Sequence, residues 1–578
     1  QPGVDLNDVC GAGLDPCFAQ QVQLSLAPGQ TAEVAFLLGE CTDHEAVRDL
    51  VMRYRRPGAV SRAFEDMQRH WRSLVSTITV ETPAPAVDLM LNGWLLYQLL
   101  SCRMWARSAF YQSGGAYGYR DQLQDAAALV HHRPELTRAQ ILLHARHQFV
   151  EGDVLHWWHP EPIERGLRTR FSDDLLWLPY VTSRYVKITG DHSVLAETVP
   201  FMTARSLQPG EDEAYLAPEV ARAAADVYEH CCRALDRSLT RGAHGLPLMG
   251  TGDWNDGMNR VGRQGRGESV WLGFFLAHII DAFLPVCARR GDDSRVGRYS
   301  ACRAQLVAAL NDAGWDGEWY RRAYYDDGTP LGSKASDECR IDAIAQAWAV
   351  ISRVAPPERA AQALSAANTM LVSERAAIIR LLTPPFVHSS HDPGYIKGYV
   401  AGVRENGGQY THGACWLVQA VAELGRNDRA GTLLEMLMPV SHALTSEAAD
   451  RYKLEPYVVA ADIYGEPPHE GRGGWSWYTG SAGWLYRVTL ESILGFVVEN
   501  ADTIVMRPRV PRAWPGYRII YRSSTGTVYE LGVTNPHRRG AAIRTIEIDG
   551  RAIESEDGAA RIPIAADGRM HRVSIVLG

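Results

Sequence analysis

The sequence predicts a mainly α protein with a double ring of helices, a short β piece near its start and a small β-sandwich at its end. Three observations carry this. From about 83 to 497, apolar residues recur at helical spacing in one segment after another, as in AVDLMLNGWLLYQLLSCRMWAR, TRAQILLHARHQFV, VWLGFFLAHIIDAFLPVCARR, RIDAIAQAWAVISRV and ACWLVQAVAELGR. Many of these are apolar nearly all round, as expected of helices buried on two sides. From about 498 the texture changes to short alternating runs, YRIIY, TVYELGV, IRTIEID and HRVSIVL, split by Gly, Asn and Pro.

In chain order, residues 22–39 alternate around a turn and read as a β-hairpin, too short to bury a core by itself. This makes 1–42 the remnant of an N-terminal β domain. Over 43–82, Ala46, Val47, Leu50, Val51 and Tyr54 share one helical face, and Pro57 divides the stretch into two linker helices. The helical domain then spans 83–497 and the C-terminal sandwich 498–578. Its helices are joined by long loops rich in Gly, Trp, Tyr, His and Asp, and such loops on a helical scaffold carry function.

Composition narrows the class. The 578 residues have a formal net charge of −8, against the basic face of a nucleic-acid binder. No run of about 18 uncharged apolar residues predicts a membrane span. The opening QPGVDLNDVCGAGLDPC lacks a signal peptide and reads like the interior of a longer polypeptide. Ten scattered cysteines without a CxxC pair fit reduced thiols in a cytoplasmic protein, and clustered zinc ligands are not found.

The chemistry concentrates in the loops. Sixteen Trp and 24 Tyr gather in phrases such as HWWHP, GDWNDG and GGWSWYTGSAGW, where flat rings suit the apolar face of a pyranose. In 117-YGYRDQLQD-125, Asp121 is suited to accept hydrogen bonds from sugar hydroxyls, and Arg120 to orient Asp121 or face an anion. A structural ion pair at a helix start is the plainer alternative. In 250-GTGDWNDGMN-259, a carboxyl packed on an indole is expected to have a raised pKa and to act as a general acid. Asp256 is the chosen acid, with Trp254 beneath the sugar, and a capped loop is the alternative. In 404-RENGGQYTHG-413 and 475-WSWYTGSAGW-484, His412, Thr479 and Gly480 suggest an anion seat; His412 alone would read as a structural histidine.

Taken together, these phrases resemble glycoside hydrolase family 94, the inverting phosphorylases, and within it the phosphorylase region of cyclic β-1,2-glucan synthases and the 1,2-β-oligoglucan phosphorylases. FYQSGGAYGYRDQLQDAAAL, GLRTRFSDDLLWLPY, GTGDWNDGMNRVG, RENGGQYTHGACW and GRGGWSWYTGSAGWLYR carry the likeness in order over about 110–490. The resemblance implies an (α/α)6 barrel. It implies Asp256 as acid, Asp121 and Trp254 on the sugar, Tyr399 and Arg404 on the leaving sugar, and phosphate on His412, Thr479 and Gly480; Arg120, beside Asp121, is a further candidate for substrate binding. It further implies no cofactor beyond inorganic phosphate as co-substrate, a β-linked gluco-oligosaccharide partner, a parent membrane synthase with this region on the cytoplasmic side, and a homodimer. Arg404 stands where cellobiose phosphorylases carry Lys, and Gly114 or Gly115 where disaccharide-specific members carry Arg. Both departures favour another linkage or a longer chain. Two other readings remain open: an inverting hydrolase with Asp253, Glu338 or Glu405 as base, and a non-catalytic glucan-binding module.

Overall fold

The computed structural model describes residues 6, 9, 11–13, 17–109, 112–540 and 542–578. Cys10, most of the opening segment, and Phe110 and Tyr111, which begin the FYQSGGAYGYRDQLQDAAAL phrase, lie outside them. The chain divides into two units, 1–73 and 74–578.

In the first unit the predicted hairpin does not form. Residues 17–42 contain no strand; a turn closes from Gln30 N–H to the Ala27 carbonyl, and Val22, Leu24, Leu26 and Phe36 are exposed. An isolated two-stranded ribbon with nothing against its apolar face is marginal at best, so alternation alone does not make strands here. The two linker helices are present, His44–Tyr54 and Ala59–Val75. Asp43 caps the first by accepting the Ala46 N–H at 2.9 Å.

The second unit opens on strand Ile78–Glu81, which the sequence reading had merged into the helical linker. It pairs antiparallel with Gly516–Arg522 at the edge of the C-terminal sheet. The chain then runs helically over 85–105, broken by two π-helical turns. Six further helices, Tyr119–Leu129, Trp177–Thr189, Val270–Arg289, Ala343–Ile351, Thr411–Glu423 and Ser481–Arg487, contact one another in cyclic order, and the sixth returns to the first. Helices Pro134–Arg146, Asp293–Asp312, Pro357–Leu371 and Asn427–Leu437 pack against this ring from among its connections. Val270–Arg289 is apolar and long enough to cross a membrane by composition alone, but 72% of its most apolar window is buried inside the fold. Its all-round apolarity is what a helix flanked on both sides requires.

All four alternating C-terminal runs are strands. A six-stranded sheet has the order Ile78–Glu81, Gly516–Arg522, Val528–Thr534, Met570–Leu577, Ile543–Ile548, Arg551–Ile553. A three-stranded sheet, Phe496–Glu499, Thr503–Met506, Ala560–Pro563, lies against it. Phe496 meets Tyr521 across the two sheets with ring centroids 5.4 Å apart, and the Tyr529 hydroxyl donates to the Pro563 carbonyl. Alternate residues such as Ile519, Leu531, Ile562 and Ile575 are buried between the layers.

Candidate active site at the N-terminal mouth of the ring

The loops entering the N-terminal ends of the ring helices enclose a cavity of about 570 Å³, lined by Asp121, Trp254, Asp256, His412, Thr479 and Gly480 among others. Arg120 and Arg404 also reach it. Eight of the nine residues singled out from the sequence therefore meet in one space. Tyr399 does not line it; it stacks on the Arg404 guanidinium at 4.7 Å.

The DWND loop owes its shape to local chemistry. Gly252 has φ +141°, and a Cβ there would come within 2.3 Å of the Phe171 ring, so only glycine fits. Asp253 is fully buried and gripped by both Arg322 nitrogens at 2.6 Å and by the Ser269 hydroxyl at 2.6 Å. It anchors the loop and is not available as a base. Glu338 is likewise committed, accepting the backbone N–H groups of Val387, His388 and Ser389. Of the three bases proposed for hydrolysis, only Glu405 lines the cavity.

Asp256 does not have the environment expected of it. Its carboxylate pairs with Arg120 and lies 3.6 Å from His156 Nε2. Burial pushes its pKa up, but Arg120 and His156 outweigh that and hold it well below the usual carboxylate range. Trp254, only 6% exposed, turns its ring into a cluster with Tyr410, His412 and Trp416. The sequence argument for an indole-raised acid is thus overturned: two cations outweigh desolvation, and neither was visible from the DWND motif.

Arg120 is also reassigned. It does not orient Asp121; it bridges Asp173 (3.1 Å), the Asp253 carbonyl (3.1 Å) and Asp256. Asp121 instead faces Arg103 at 3.5 Å, and Arg103 is held by Asp125 at 2.8 Å. His156 lies at a β-bulge in strand Leu155–His159, where the register with Arg165–Thr169 shifts. A bulge redirects a side chain, and here His156 reaches both Asp256 and Asp174, the latter at 2.9 Å. Burial pushes His156 down, but Asp174 and Asp256 prevail and lift it to about 10, so it is an imidazolium.

The far wall can receive an anion. His412 lies in the first turn of Thr411–Glu423, and Gly480 precedes Ser481–Arg487. A Cβ at Gly480 would be 3.7 Å from the Arg103 guanidinium, from an Asp125 carboxylate oxygen and from the His412 ring, so Gly480 lies where these groups converge, with Asp125 holding Arg103 in place. Burial, then Arg120 and Arg103, keep His412 neutral, well below its ordinary pKa, and its Nε2 is buried without a partner. The Thr479 hydroxyl is 2.8 Å from that of Ser481 and accepts the Ser481 N–H. Arg404 has a left-handed backbone, φ 52°, stabilised by its N–H donating to Asp462 at 3.0 Å, while its guanidinium is clasped between Tyr399 and Trp475.

Sequence reasoning missed Arg103, His156, Asp173 and Asp174. Arg103 carried a signal: it is a lone buried charge in an otherwise apolar helical run. The acid pair of the SDD phrase was another. Among the described residues, no group of three or more His, Cys, Asp or Glu is arranged to hold a metal ion.

A helical ring with carboxylates, indoles and hydrogen-bond donors gathered at one mouth has the make-up of a carbohydrate site. The model of the glycosyl hydrolase 94 superfamily catalytic domain matches residues 70–495, and that of the family's supersandwich domain matches 2–57. The chain belongs to this superfamily. It is 48% identical to the cyclic beta-(1,2)-glucan synthase NdvB of Rhizobium meliloti over 94% of this chain, which spans only 19% of that protein's length. It is 30% identical to the solabiose phosphorylase of Paenibacillus borealis over 99% of this chain and 70% of that one. A 1,2-beta-oligoglucan phosphorylase of Listeria innocua is 20% identical over 73% of this chain and 40% of its own length. Among solved structures, a GH78 family rhamnosidase of Bacillus sp. GL1 shares the fold, with TM-score 0.51 and 12% identity over 80% of this chain and 42% of that one.

Proposed function

We propose that this chain is an inverting phosphorylase acting reversibly on β-1,2-gluco-oligosaccharides, releasing α-glucose 1-phosphate and a chain one glucose shorter. The observation that carries the reading is a single cavity in which Asp256 and the His412–Thr479–Gly480 wall both take part. The helices would form an (α/α)6 barrel; their cyclic contact order supports this.

The terminal glucose binds against Asp121 and Trp254. Asp256 protonates the glycosidic oxygen while hydrogen phosphate, held by His412, Thr479 and Gly480, attacks the anomeric carbon from the opposite face. The C–O bond to the leaving chain breaks as the C–O bond to phosphate forms. The leaving chain gains the acid's proton, and hydrogen phosphate loses one on becoming the ester dianion, so the cycle balances. Since Asp256 rests ionised, it must be protonated before turnover. In this reading, bound sugar removes water around Asp256 and bound phosphate adds negative charge beside it; both raise its pKa, so that it takes up a proton from solvent, and the proton released by phosphate returns there. An anionic nucleophile needs no second carboxylate as base, whereas an inverting hydrolase does. Relatives bearing phosphorylase names support the reaction class, and the synthase and oligoglucan phosphorylase names support the β-1,2 linkage. We further propose that the chain is the phosphorylase region of a longer glucan synthase, working on the cytoplasmic side of a membrane.

The test is incubation with α-glucose 1-phosphate and a panel of β-linked gluco-oligosaccharides. Phosphate release with the β-1,2 acceptors is expected. Glucose released from the oligosaccharides in the absence of phosphate would instead assign Glu405 as the base of a hydrolase.

A further inference from the structure

A second cavity, of about 1000 Å³, lies at the other end of the same ring. Its floor is formed by the ring helices, through residues such as Tyr180, Trp348 and Trp484. Its roof is formed by the strands Phe496–Glu499 and Thr503–Met506 and the segment after them. In a chain of net charge −8, this cavity is strongly basic: Arg184, Arg289, Arg353, Arg487, Arg507 and Arg509 all line it.

The carboxylates present do not neutralise it. Asp281 is bound by Arg303, and Glu499 by Arg561 at 2.7 Å and Lys187 at 3.4 Å. Glu491 is shared between Arg184 and Arg487. Glu423 accepts an amide hydrogen of Gln419 at 2.8 Å, and burial pushes its pKa up against the opposing pull of Gln419, Arg509 and Arg353. Arg289, Arg353, Arg507 and Arg509 have no carboxylate within 4.0 Å among the described residues. Burial and the neighbouring Arg487 push the pKa of Arg184 down against Glu491, and burial, with Arg507 and Arg353 nearby, pushes that of Arg509 down against Glu423. Helix C-termini carry roughly half a negative charge each and offset part of this excess. Arg509 donates to the helix-end carbonyl of Ser492 at 3.4 Å, whereas Arg353 and Arg507 have no side-chain hydrogen bond of this kind among the described residues.

Two buried side chains keep spare donors. Arg487 is 92% buried at its side chain; its Nη2 donates to the Tyr180 hydroxyl at 3.1 Å and its Nε lies 3.7 Å from Glu491, yet Nε and Nη1 make no hydrogen bond, and neither does the Trp348 Nε1–H. Unsatisfied donors of this kind are costly to leave without an acceptor. Planar guanidinium forks match tetrahedral oxyanions, bonding them in pairs.

We infer that this cavity binds a small phosphorylated solute, with its phosphoryl oxygens on Arg353, Arg487, Arg507 and Arg509. It is separate from the candidate active site, so the inference stands whether or not phosphorolysis is the reaction. Its ligand is either an independent phospho-metabolite or the glucose 1-phosphate that the proposed reaction would make.

The test is calorimetric titration of the full chain with inorganic pyrophosphate, glucose 6-phosphate and glucose 1-phosphate, in wild type, in the R353E/R507E double variant and in Thr479→Val. Pyrophosphate or glucose 6-phosphate binding that weakens by about tenfold or more in R353E/R507E, but not in Thr479→Val, is expected. The phosphate dependence of turnover should be unchanged in the double variant. If glucose 1-phosphate alone shows this pattern, the site takes the reaction product. Binding that survives in R353E/R507E, or that Thr479→Val removes, overturns the inference. Should the double variant not fold, exposed Arg353→Ala alone, with hydrogen-exchange protection of 484–509 by pyrophosphate in wild type, decides the same question; absent protection there overturns it.

Discussion

Replacing His156 by Gln tests the least expected feature of the site. His156 lies 2.9 Å from Asp174 and 3.6 Å from Asp256, and these carboxylates lift it from 6.5 to about 10 against the downward pull of burial. Its folded pKa is raised, so its contribution to stability is fully present below about 6.5 and is lost as pH rises through about 10. At roughly 1.4 kcal/mol per unit, the ceiling is about 5 kcal/mol, and coupling to two carboxylates reduces the realised value to about 2–4 kcal/mol. Urea unfolding of wild type and His156→Gln at pH 6 and pH 10 reads this directly. The stability gap between the two proteins should be wide at pH 6 and narrow at pH 10. The same variant removes one of the two cations that hold Asp256 ionised, so the Asp256 pKa should rise and the alkaline limb of the rate profile should move to higher pH. A stability gap that does not change with pH, together with an unmoved alkaline limb, would refute the argument that this imidazolium governs Asp256.

Asp256→Asn should reduce phosphorolysis by about 10³-fold or more while leaving oligosaccharide binding within a few-fold, measured by turnover and calorimetry on one preparation. His412→Ala should raise the KM for phosphate by about tenfold with a smaller effect on kcat, since it removes a donor from a wall that keeps Thr479, Gly480 and Arg103; an unchanged phosphate dependence removes His412 from the anion wall. Arg322→Ala should destabilise the chain by about 3–5 kcal/mol, because Asp253, fully buried and doubly bonded to it, would keep an uncompensated charge. Thermal unfolding checks this, and an unchanged Tm would show that Asp253 does not anchor the DWND loop.

Much of the fold was legible because it is periodic. The ring helices show as apolar runs, and the strands Gly516–Arg522, Val528–Thr534, Ile543–Ile548 and Met570–Leu577 as alternation. The same alternation misled at 22–39, where no sheet receives its apolar side chains. Strand Ile78–Glu81 was hidden because its partner lies more than 400 residues away. The HWWHP phrase, read as a loop, is largely strand Leu155–His159, and only its bulge gives His156 its direction.

By itself, the sequence determined that helices would dominate, and it singled out Asp256, Asp121, His412 and Thr479, which the fold brings to one cavity. Those features are contiguous, and contiguous residues state their own backbone requirements and donor types. Which carboxylate would be charged, and by whom, was decided only by the tertiary structure. Asp256 meets Arg120 and His156 across 136 and 100 residues of chain. An ionisable group responds to the charges within a few ångströms of it and to the water removed around it, and neither quantity is a property of its neighbours in sequence.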